Sequence, residues 1–291
     1  MRKITLRGAF LSISIYISLV IAAAGLFSGC LRLTRHAAGP EEAPAGGATP
    51  SHETLTIAGS TSVQPFAELL AESFMKIHGG VSINVQGGGS SAGARAAMTG
   101  VAGIGAMSRE LAPEEKSLHE IMIARDGIAI IVHPDNPVDD LTLDQVRRIF
   151  SGEIKRWSEV GGPDKPIHVV SREEGSGTRG SFDEMVMHGR EVTPAAVVQD
   201  SNGAVRETVA GDKSAIGYIS LGLVDKRVKG LKIDGVEPSV ENVRLGRYSI
   251  ARPFLFVTRD APQGLAKEFI DFVLSPDSQA VLLREGLVPV K

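Results

Sequence analysis

A glycine- and hydroxyl-rich turn that begins at Arg172 is the stretch of this chain best suited to chemistry. It follows an apolar β-branched run that predicts a short buried strand, and it precedes a segment that predicts a helix. A turn in that position presents the free N–H groups of a helix N-terminus. Arg172 adds a forked guanidinium, Ser176 and Thr178 add hydroxyls, and Gly177 permits close backbone approach. This combination favours a tetrahedral oxyanion as ligand, and an ordinary solvated turn is the alternative.

Hydroxyl groups also fill three earlier turns, each between a predicted strand and a predicted helix. Ser60, Thr61 and Ser62 stand together in the first turn, Ser90 in the second and Ser108 in the third. A helix cap needs only one hydroxyl, so three in a row exceed what capping requires. Strands that alternate with helices predict an α/β fold with mainly parallel sheets. Ligands of such folds bind at the carboxyl ends of the strands, where these turns lie.

The second turn also matches a pattern of serine hydrolases. Gly89-Ser90-Ser91-Ala92-Gly93 fits G-x-S-x-G after a strand and would make Ser91 a nucleophile. A hydrolase also needs a downstream acid and then a histidine, but the last histidine, His188, stands at a predicted helix end. No clustered metal-ligand spacing and no P-loop lysine are present in the sequence. We therefore expect a binding protein without enzyme activity, cofactor or metal, with a hydrolase as the open alternative.

The composition is that of a globular protein with room for two modest domains. The chain has 291 residues, of which 43% are hydrophobic and 22% charged. Its only tryptophan, Trp157, is predicted to lie in a core. The net charge of -3 makes nucleic acid an improbable partner. An acidic protein that binds an anion must attract it through local groups.

The N-terminus predicts an export signal. A basic start and an apolar run end in Ser28-Gly29-Cys30, so residues 1–29 are predicted to be a lipoprotein signal peptide. Cys30, the only cysteine, would carry the lipid and allows no intramolecular disulfide. Phe27 replaces the leucine usual three positions before that cysteine, so simple cleavage and an uncleaved anchor stay open. Residues 30–53 are rich in Ala, Gly and Pro and predict a flexible tether.

Two polar, proline-bearing passages predict a pair of domain crossings. One begins at His133 after a strongly apolar strand, and the other occupies residues 247–253. We therefore predict a first lobe of residues 54–132 plus 254–291 and a second lobe of residues 133–253. Two linkers close together would act as a hinge.

From residue 53 to 291 the chain resembles the periplasmic phosphate-binding proteins of bacterial ABC transporters. The resemblance implies a type II periplasmic-binding-protein fold with two lobes and the ligand in the cleft between them. It also implies a monomer, exported to the periplasm or cell surface, that hands inorganic phosphate to membrane permease subunits. The matching stretches occur in the family's order and are residues 58–66, 86–93, 104–111, 171–178 and 215–220.

The resemblance also implies roles for individual residues. Thr61 would donate its hydroxyl and Ser62 its N–H, with Ser60 in support, while Glu174 would hold Arg172 in place. The remaining ligand contacts would come from Ser90, Arg172, Ser176, Gly177 and Thr178.

Ser108 departs from the family pattern. Many members carry an Asp there, which accepts the proton of hydrogen phosphate and so excludes sulfate. A serine hydroxyl can accept or donate. Phosphate remains the expected ligand, and sulfate, molybdate and tungstate remain alternatives.

Overall fold

The computed structural model describes residues 52–290. The predicted signal peptide, Cys30 and nearly all of the predicted tether lie outside the described residues. Within the described part, no helix combines the length and apolar character needed to cross a bilayer.

Strands and helices alternate along the described chain, as the sequence pattern predicts. The strands are β1 Glu53–Gly59, β2 Val81–Gln86, β3 Ile104–Met107, β4 His119–Val132, β5 Asp140–Leu141, β6 His168–Arg172, β7 Val197–Gln199, β8 Ala215–Ser220, β9 Lys229–Gly230, β10 Lys232–Ile233 and β11 Ala251–Thr258. The α-helices are α1 Gln64–Ile77, α2 Ser90–Thr99, α3 Leu143–Phe150, α4 Gly177–Phe182, α5 Asn202–Gly211, α6 Val240–Arg244, α7 Gly264–Val273 and α8 Pro276–Arg284. The α/β fold class is confirmed.

The first half of the molecule is built on the strand order β2-β1-β3-β11-β4. β1 pairs in parallel with β2 and β3, whereas β11 runs antiparallel to β3 and β4. The apolar face of α1 packs here, because Phe66, Leu70 and Phe74 are buried in one core with Phe254 and Phe269.

The second half continues the sheet in the order β4-β8-β6-β7. β6 pairs in parallel with β7 and β8. Its core contains Phe150, and the Phe182 and Tyr218 rings stack with their centroids 4.0 Å apart. Trp157 is buried in the same core, so its predicted place is confirmed.

β4 belongs to both halves. Its residues 119–127 pair with β11, and residues 128–132 pair with β8. The strand therefore changes partners at Gly127, whereas the predicted boundary at residue 132 falls at its end. The second predicted boundary, at residue 253, falls inside β11. Arg125, Asp126 and Gly127 interrupt the apolar pattern of β4 at this point. The sequence analysis did not use that interruption, because it took the lobe boundary from the turn formers that follow the strand.

The fold directs four turns toward one place. β1, β3 and β6 end at the turns that carry Ser60, Ser108 and the residues after Arg172, and β2 leads to α2. These are the turns in which the sequence analysis places the ligand contacts.

Candidate functional site

Arg172, the last residue of β6, lies at the centre of the site. Its side chain is only 1% exposed. Its Nε and Nη2 atoms donate to the Glu173 carboxylate at 2.8 and 2.9 Å, and Nη2 also lies 3.3 Å from Thr61 Oγ1. Its Nη1 atom is buried and has no hydrogen-bond partner among residues 52–290. Buried donors are nearly always hydrogen-bonded, so this atom is suited to meet an oxygen of a ligand.

Glu173, and not Glu174, accepts the hydrogen bonds of the guanidinium, and the supporting role of Glu174 stays a prediction. β6 ends at Arg172, and the chain then turns, with Ser176 N donating to the Glu173 carbonyl at 3.3 Å. This turn folds the Glu173 carboxylate back onto Arg172 and leaves Glu174 exposed. The two glutamates are neighbours, and only the turn geometry decides between them.

The N-terminus of α4 provides the second group of donors. Ser176 caps the helix, because its Oγ accepts from Arg179 N at 3.2 Å. The first N–H groups of the helix, at Gly177 and Thr178, have no intrahelical acceptor. A Cβ atom on Gly177 would lie 2.1 Å from Ser90 Oγ and 2.6 Å from Ser108 Oγ, so this position requires glycine.

The serines of the first half form a buried network on the opposite side. Ser60 Oγ donates to Ser108 Oγ at 2.8 Å, and Ser108 N donates to Ser90 Oγ at 3.0 Å. Ser62 N, which we expected to donate to a ligand, donates to Ser60 Oγ at 3.2 Å. Ser62 instead contributes its hydroxyl to the contacts between the halves.

Hydroxyl groups of the two halves meet directly. Ser62 Oγ lies 2.9 Å from Thr178 Oγ1, and Ser91 N donates to the Gly175 carbonyl at 3.1 Å. The fold therefore brings together the residues that the sequence nominates as ligand contacts: Thr61, Ser62, Ser90, Ser108, Arg172, Ser176, Gly177 and Thr178.

A second buried arginine escaped the sequence analysis. Arg252 on β11 donates through Nε and Nη2 to Asp126 Oδ2 at 3.1 and 2.9 Å. It also donates to Ser62 Oγ at 3.1 Å and to the Ser108 carbonyl at 3.0 Å. Burial raises the pKa of Asp126, and the adjacent Arg252 charge opposes that rise. The sequence does contain a signal for this pair, because Asp126 and Arg252 each stand directly before an apolar run.

Asn202, the first residue of α5, was also missed. Its Nδ2 lies 3.1 Å from Thr61 Oγ1 and 2.9 Å from Ser62 Oγ, and its Oδ1 accepts from Ser220 N at 3.1 Å. In the sequence it looks like an ordinary residue after the helix cap Ser201.

Comparisons with known proteins agree with this geometry. A model of the PBP superfamily domain matches residues 43–277. The phosphate-binding protein PstS of Bacillus subtilis is 37% identical over 246 residues, which cover 81% of each chain. A Clostridium perfringens substrate-binding protein, assigned to phosphate ABC transport and solved with bound phosphate, is 46% identical with a TM-score of 0.80. The match covers 82% of this chain and 100% of that one.

The chain belongs to the phosphate-binding proteins of ABC transporters, within the PBP superfamily. A further member of this family, an ABC-type phosphate transport receptor from Vibrio cholerae, is 38% identical with a TM-score of 0.68. That match covers 80% of this chain and 99% of the receptor. The two-lobe fold predicted from the sequence is confirmed.

Ser91 has surroundings unlike those of a hydrolase nucleophile. Its Oγ accepts from Arg109 Nη2 at 3.0 Å, and Arg109 also makes two hydrogen bonds to the Glu115 carboxylate. Burial opposes ionisation of Glu115, but the Arg109 contacts hold its pKa below the usual value. No histidine is hydrogen-bonded to Ser91 within residues 52–290. Its relatives in this phosphate-binding family are substrate-binding transport proteins.

Proposed function

We propose that this protein binds inorganic phosphate outside the cytoplasm and delivers it to the permease of an ABC transporter. The observation that carries the proposal is the buried Arg172 Nη1, which has no partner among the described residues and is set among hydroxyls of both halves. The names of the family members support the same ligand.

The proposed site binds its ligand by hydrogen bonds more than by net charge. Arg172 is paired with Glu173, and Arg252 with Asp126, so the buried charges balance. About six to eight hydrogen bonds to a charged ligand, each contributing roughly 1.5–3 kcal/mol, must offset the desolvation of the ion. A surplus of about 8 kcal/mol corresponds to a micromolar complex.

Ser108 bears on the choice between phosphate and sulfate. Its hydroxyl accepts from Ser60 at 2.8 Å and also lies 3.4 Å from Ser90 Oγ, a long contact that leaves room for a ligand oxygen. We propose that this hydroxyl accepts the proton of hydrogen phosphate, so that phosphate stays preferred. A protein that takes sulfate, molybdate or tungstate equally well would contradict this choice.

The proposed transport cycle is a hinge motion of two lobes. We place the crossings at Gly127, after which β4 exchanges β11 for β8, and at Ala251, the residue of β11 that pairs with Gly127. Hydrogen bonds such as Ser62–Thr178 then form when the lobes close around the ion.

We further propose that the chain performs no catalysis and that a lipid on Cys30 anchors it to the membrane. The first part is supported by Ser91, which binds Arg109, and by the transport role of the relatives. The second rests on the sequence of residues 1–30. Mass spectrometry of the membrane fraction should find lipidated Cys30 as the mature N-terminus, and a soluble form that starts elsewhere would contradict the anchor.

Titration calorimetry tests the proposed ligand. Phosphate should bind with a micromolar or tighter dissociation constant, and sulfate at the same pH and salt concentration at least about tenfold more weakly. Failure to bind phosphate, or an equal affinity for sulfate, would overturn the assignment. A covalent serine probe that labels Ser91 would favour the hydrolase instead.

A further inference from the structure

Asn202 connects the two halves through hydroxyl groups of the site. It lies on α5, which packs on β8 in the second half, whereas Thr61 and Ser62 belong to the first. Its Nδ2 carries two hydrogens and lies within hydrogen-bond distance of both hydroxyls, at 3.1 and 2.9 Å. Ser220 N donates to its Oδ1, which fixes the end of the carboxamide that faces the hydroxyls. Asn202 is 1% exposed, so water does not compete for these contacts.

These contacts determine the direction of the Ser62 proton. A hydroxyl accepts two hydrogen bonds and donates one. Ser62 Oγ receives Asn202 Nδ2 at 2.9 Å and Arg252 Nη2 at 3.1 Å, so both of its lone pairs are occupied. Its proton is then donated to the remaining neighbour, Thr178 Oγ1, at 2.9 Å. Thr178 accepts this bond, and its own proton is left for a ligand.

The hydrogen bonds of the Thr61 hydroxyl can be counted in the same way. Its Oγ1 accepts from Asn202 Nδ2 at 3.1 Å, and Arg172 Nη2 at 3.3 Å shares its two hydrogens among Thr61, the Glu173 carboxylate and the Asp200 carbonyl. With donors directed at both acceptor positions, the Thr61 proton is also left for donation. Hydrogen bonds in such a chain polarise one another, which strengthens the terminal donors.

We propose that Asn202 is a positioning residue that directs the Ser62 proton to Thr178 and so fixes Thr61 and Thr178 as hydrogen-bond donors when the two halves meet. This inference rests on the proposed function, because the donors serve an oxyanion. It adds that closure of the two halves and orientation of the donor hydroxyls are coupled. Only the closed arrangement fills the acceptor positions of Thr61 and Ser62, and closure therefore prepares the donors that hold the ion.

A double-mutant cycle on phosphate affinity tests the role of Asn202. In the full-length chain, Asn202→Ala should weaken phosphate binding by about tenfold. In a background that carries Thr61→Val and Ser62→Ala, the same change should weaken it by no more than about twofold, because the hydroxyls through which it acts are gone. An equal loss in both backgrounds would overturn the inference, since a merely structural residue acts independently of those hydroxyls.

Asn202→Asp provides a variant of the same shape. It keeps an acceptor for Ser220 N but places a carboxylate oxygen where Nδ2 donates, so the hydroxyl protons turn away from the ligand. It should bind phosphate more weakly than Asn202→Ala, and equal or tighter binding would contradict the inference. Measuring it in both backgrounds completes a cycle even if the alanine variant does not fold.

Ser181→Ala serves as the matched control. Ser181 Oγ donates to the Ser108 carbonyl at 3.3 Å, so it also connects the halves but sets no hydroxyl proton of the site. It should change affinity by no more than about twofold, equally in both backgrounds. A Ser181→Ala effect that disappears in the background lacking the hydroxyls would overturn the inference. If the parent chain does not bind phosphate at all, the proposed function itself fails, which is a distinct result.

Discussion

The two buried arginines show how an acidic protein can hold an anion. Arg172 uses Nε and Nη2 for Glu173, and Arg252 uses Nε and Nη2 for Asp126. Each guanidinium is thereby oriented and its charge balanced, which avoids the large cost of an unpaired buried ion. Of these two guanidinium groups, only that of Arg172 leaves a buried nitrogen, Nη1, without a partner among residues 52–290, so the site offers directed donors more than excess charge.

The neighbouring glutamates allow a direct test of how Arg172 is held. Glu173→Ala removes the two shortest hydrogen bonds of the guanidinium and leaves the longer ones to the Gln199 and Asp200 carbonyls. It should weaken phosphate binding by about tenfold, because Arg172 is then held less firmly. Glu174→Ala is the control, since that side chain is exposed and does not contact Arg172, and it should stay within about twofold of the parent. Calorimetry that ranks the two variants the other way round would favour the role predicted for Glu174.

Individual site residues differed in how far the sequence could predict them. Arg172, Ser176 and Thr178 stand in one local motif, whose chemistry is evident without a fold. Arg252 and Asn202 are far from that motif along the chain, and tertiary structure alone brings them to Ser62. Polar residues of this kind look locally like a strand end or a helix start.

At the level of elements, the close approach of α4 to the serine turns makes glycine necessary at residue 177. Gly177→Ala would place a Cβ 2.1 Å from Ser90 Oγ, which itself accepts from Ser108 N. Overpacking of this kind costs about 1–3 kcal/mol, so phosphate affinity should fall by about tenfold or more. The measurement is calorimetry, with unfolding curves to show that the variant is folded.

Gly180→Ala in the same helix is the control for this change. Its Cβ would meet only the Arg109 side chain, with Cδ at 3.1 Å and Nε at 3.8 Å, and that side chain can shift. It should alter affinity by no more than about threefold, a difference below 1 kcal/mol. If both variants bind phosphate as the parent does, the halves do not approach as closely as described.

Tyr218 on β8 gives the fold a defined response to alkaline pH. Its hydroxyl contacts Ser171 Oγ at 2.9 Å and accepts from Arg172 N at 3.3 Å, and burial raises its pKa to about 12. The unfolded chain ionises tyrosine near pH 10. The stabilisation from this neutral side chain is therefore fully present below about pH 10 and is lost between about pH 10 and 12, by roughly 2–3 kcal/mol.

Tyr218→Phe tests that response and keeps the ring stacked on Phe182. At pH 7 the variant should be about 1–2 kcal/mol less stable, because two hydrogen bonds are lost. The difference in the free energy of unfolding between parent and variant should shrink as the pH rises through about 10, since only the parent carries this ionisable group. Urea unfolding at several pH values measures this difference. A difference that stays constant up to pH 11 would contradict the loss of stability assigned to Tyr218.

Elements were easier to predict than their boundaries. Alternating apolar residues and helix starts indicated β1, α1 and α7 and the turns between strands and helices. The change of strand partner inside β4 was not predicted, although Arg125, Asp126 and Gly127 interrupt the apolar pattern there, because such a break fits the end of a strand equally well. Strand pairing, which depends on distant residues, determines where one half ends.

For the whole molecule, the contacts between the halves predict a change of shape on binding. Small-angle scattering on the chain without its first 30 residues should show a smaller radius of gyration with saturating phosphate than without it. The expected cause is lobe closure, which brings Ser62 to Thr178 and Asn202 to Thr61. An unchanged radius at saturation would argue against a hinge motion.

Phosphate affinity of Arg172→Ala tests the central claim most directly. This change removes the buried guanidinium whose Nη1 has no partner in residues 52–290, at a cost of roughly 2–5 kcal/mol. Arg172→Lys should recover only part of the loss, because an ammonium cannot reproduce the fork. Calorimetry at one pH and salt concentration should show binding at least about 30-fold weaker than that of the parent. A dissociation constant within about threefold of the parent value would mean that phosphate does not bind at Arg172.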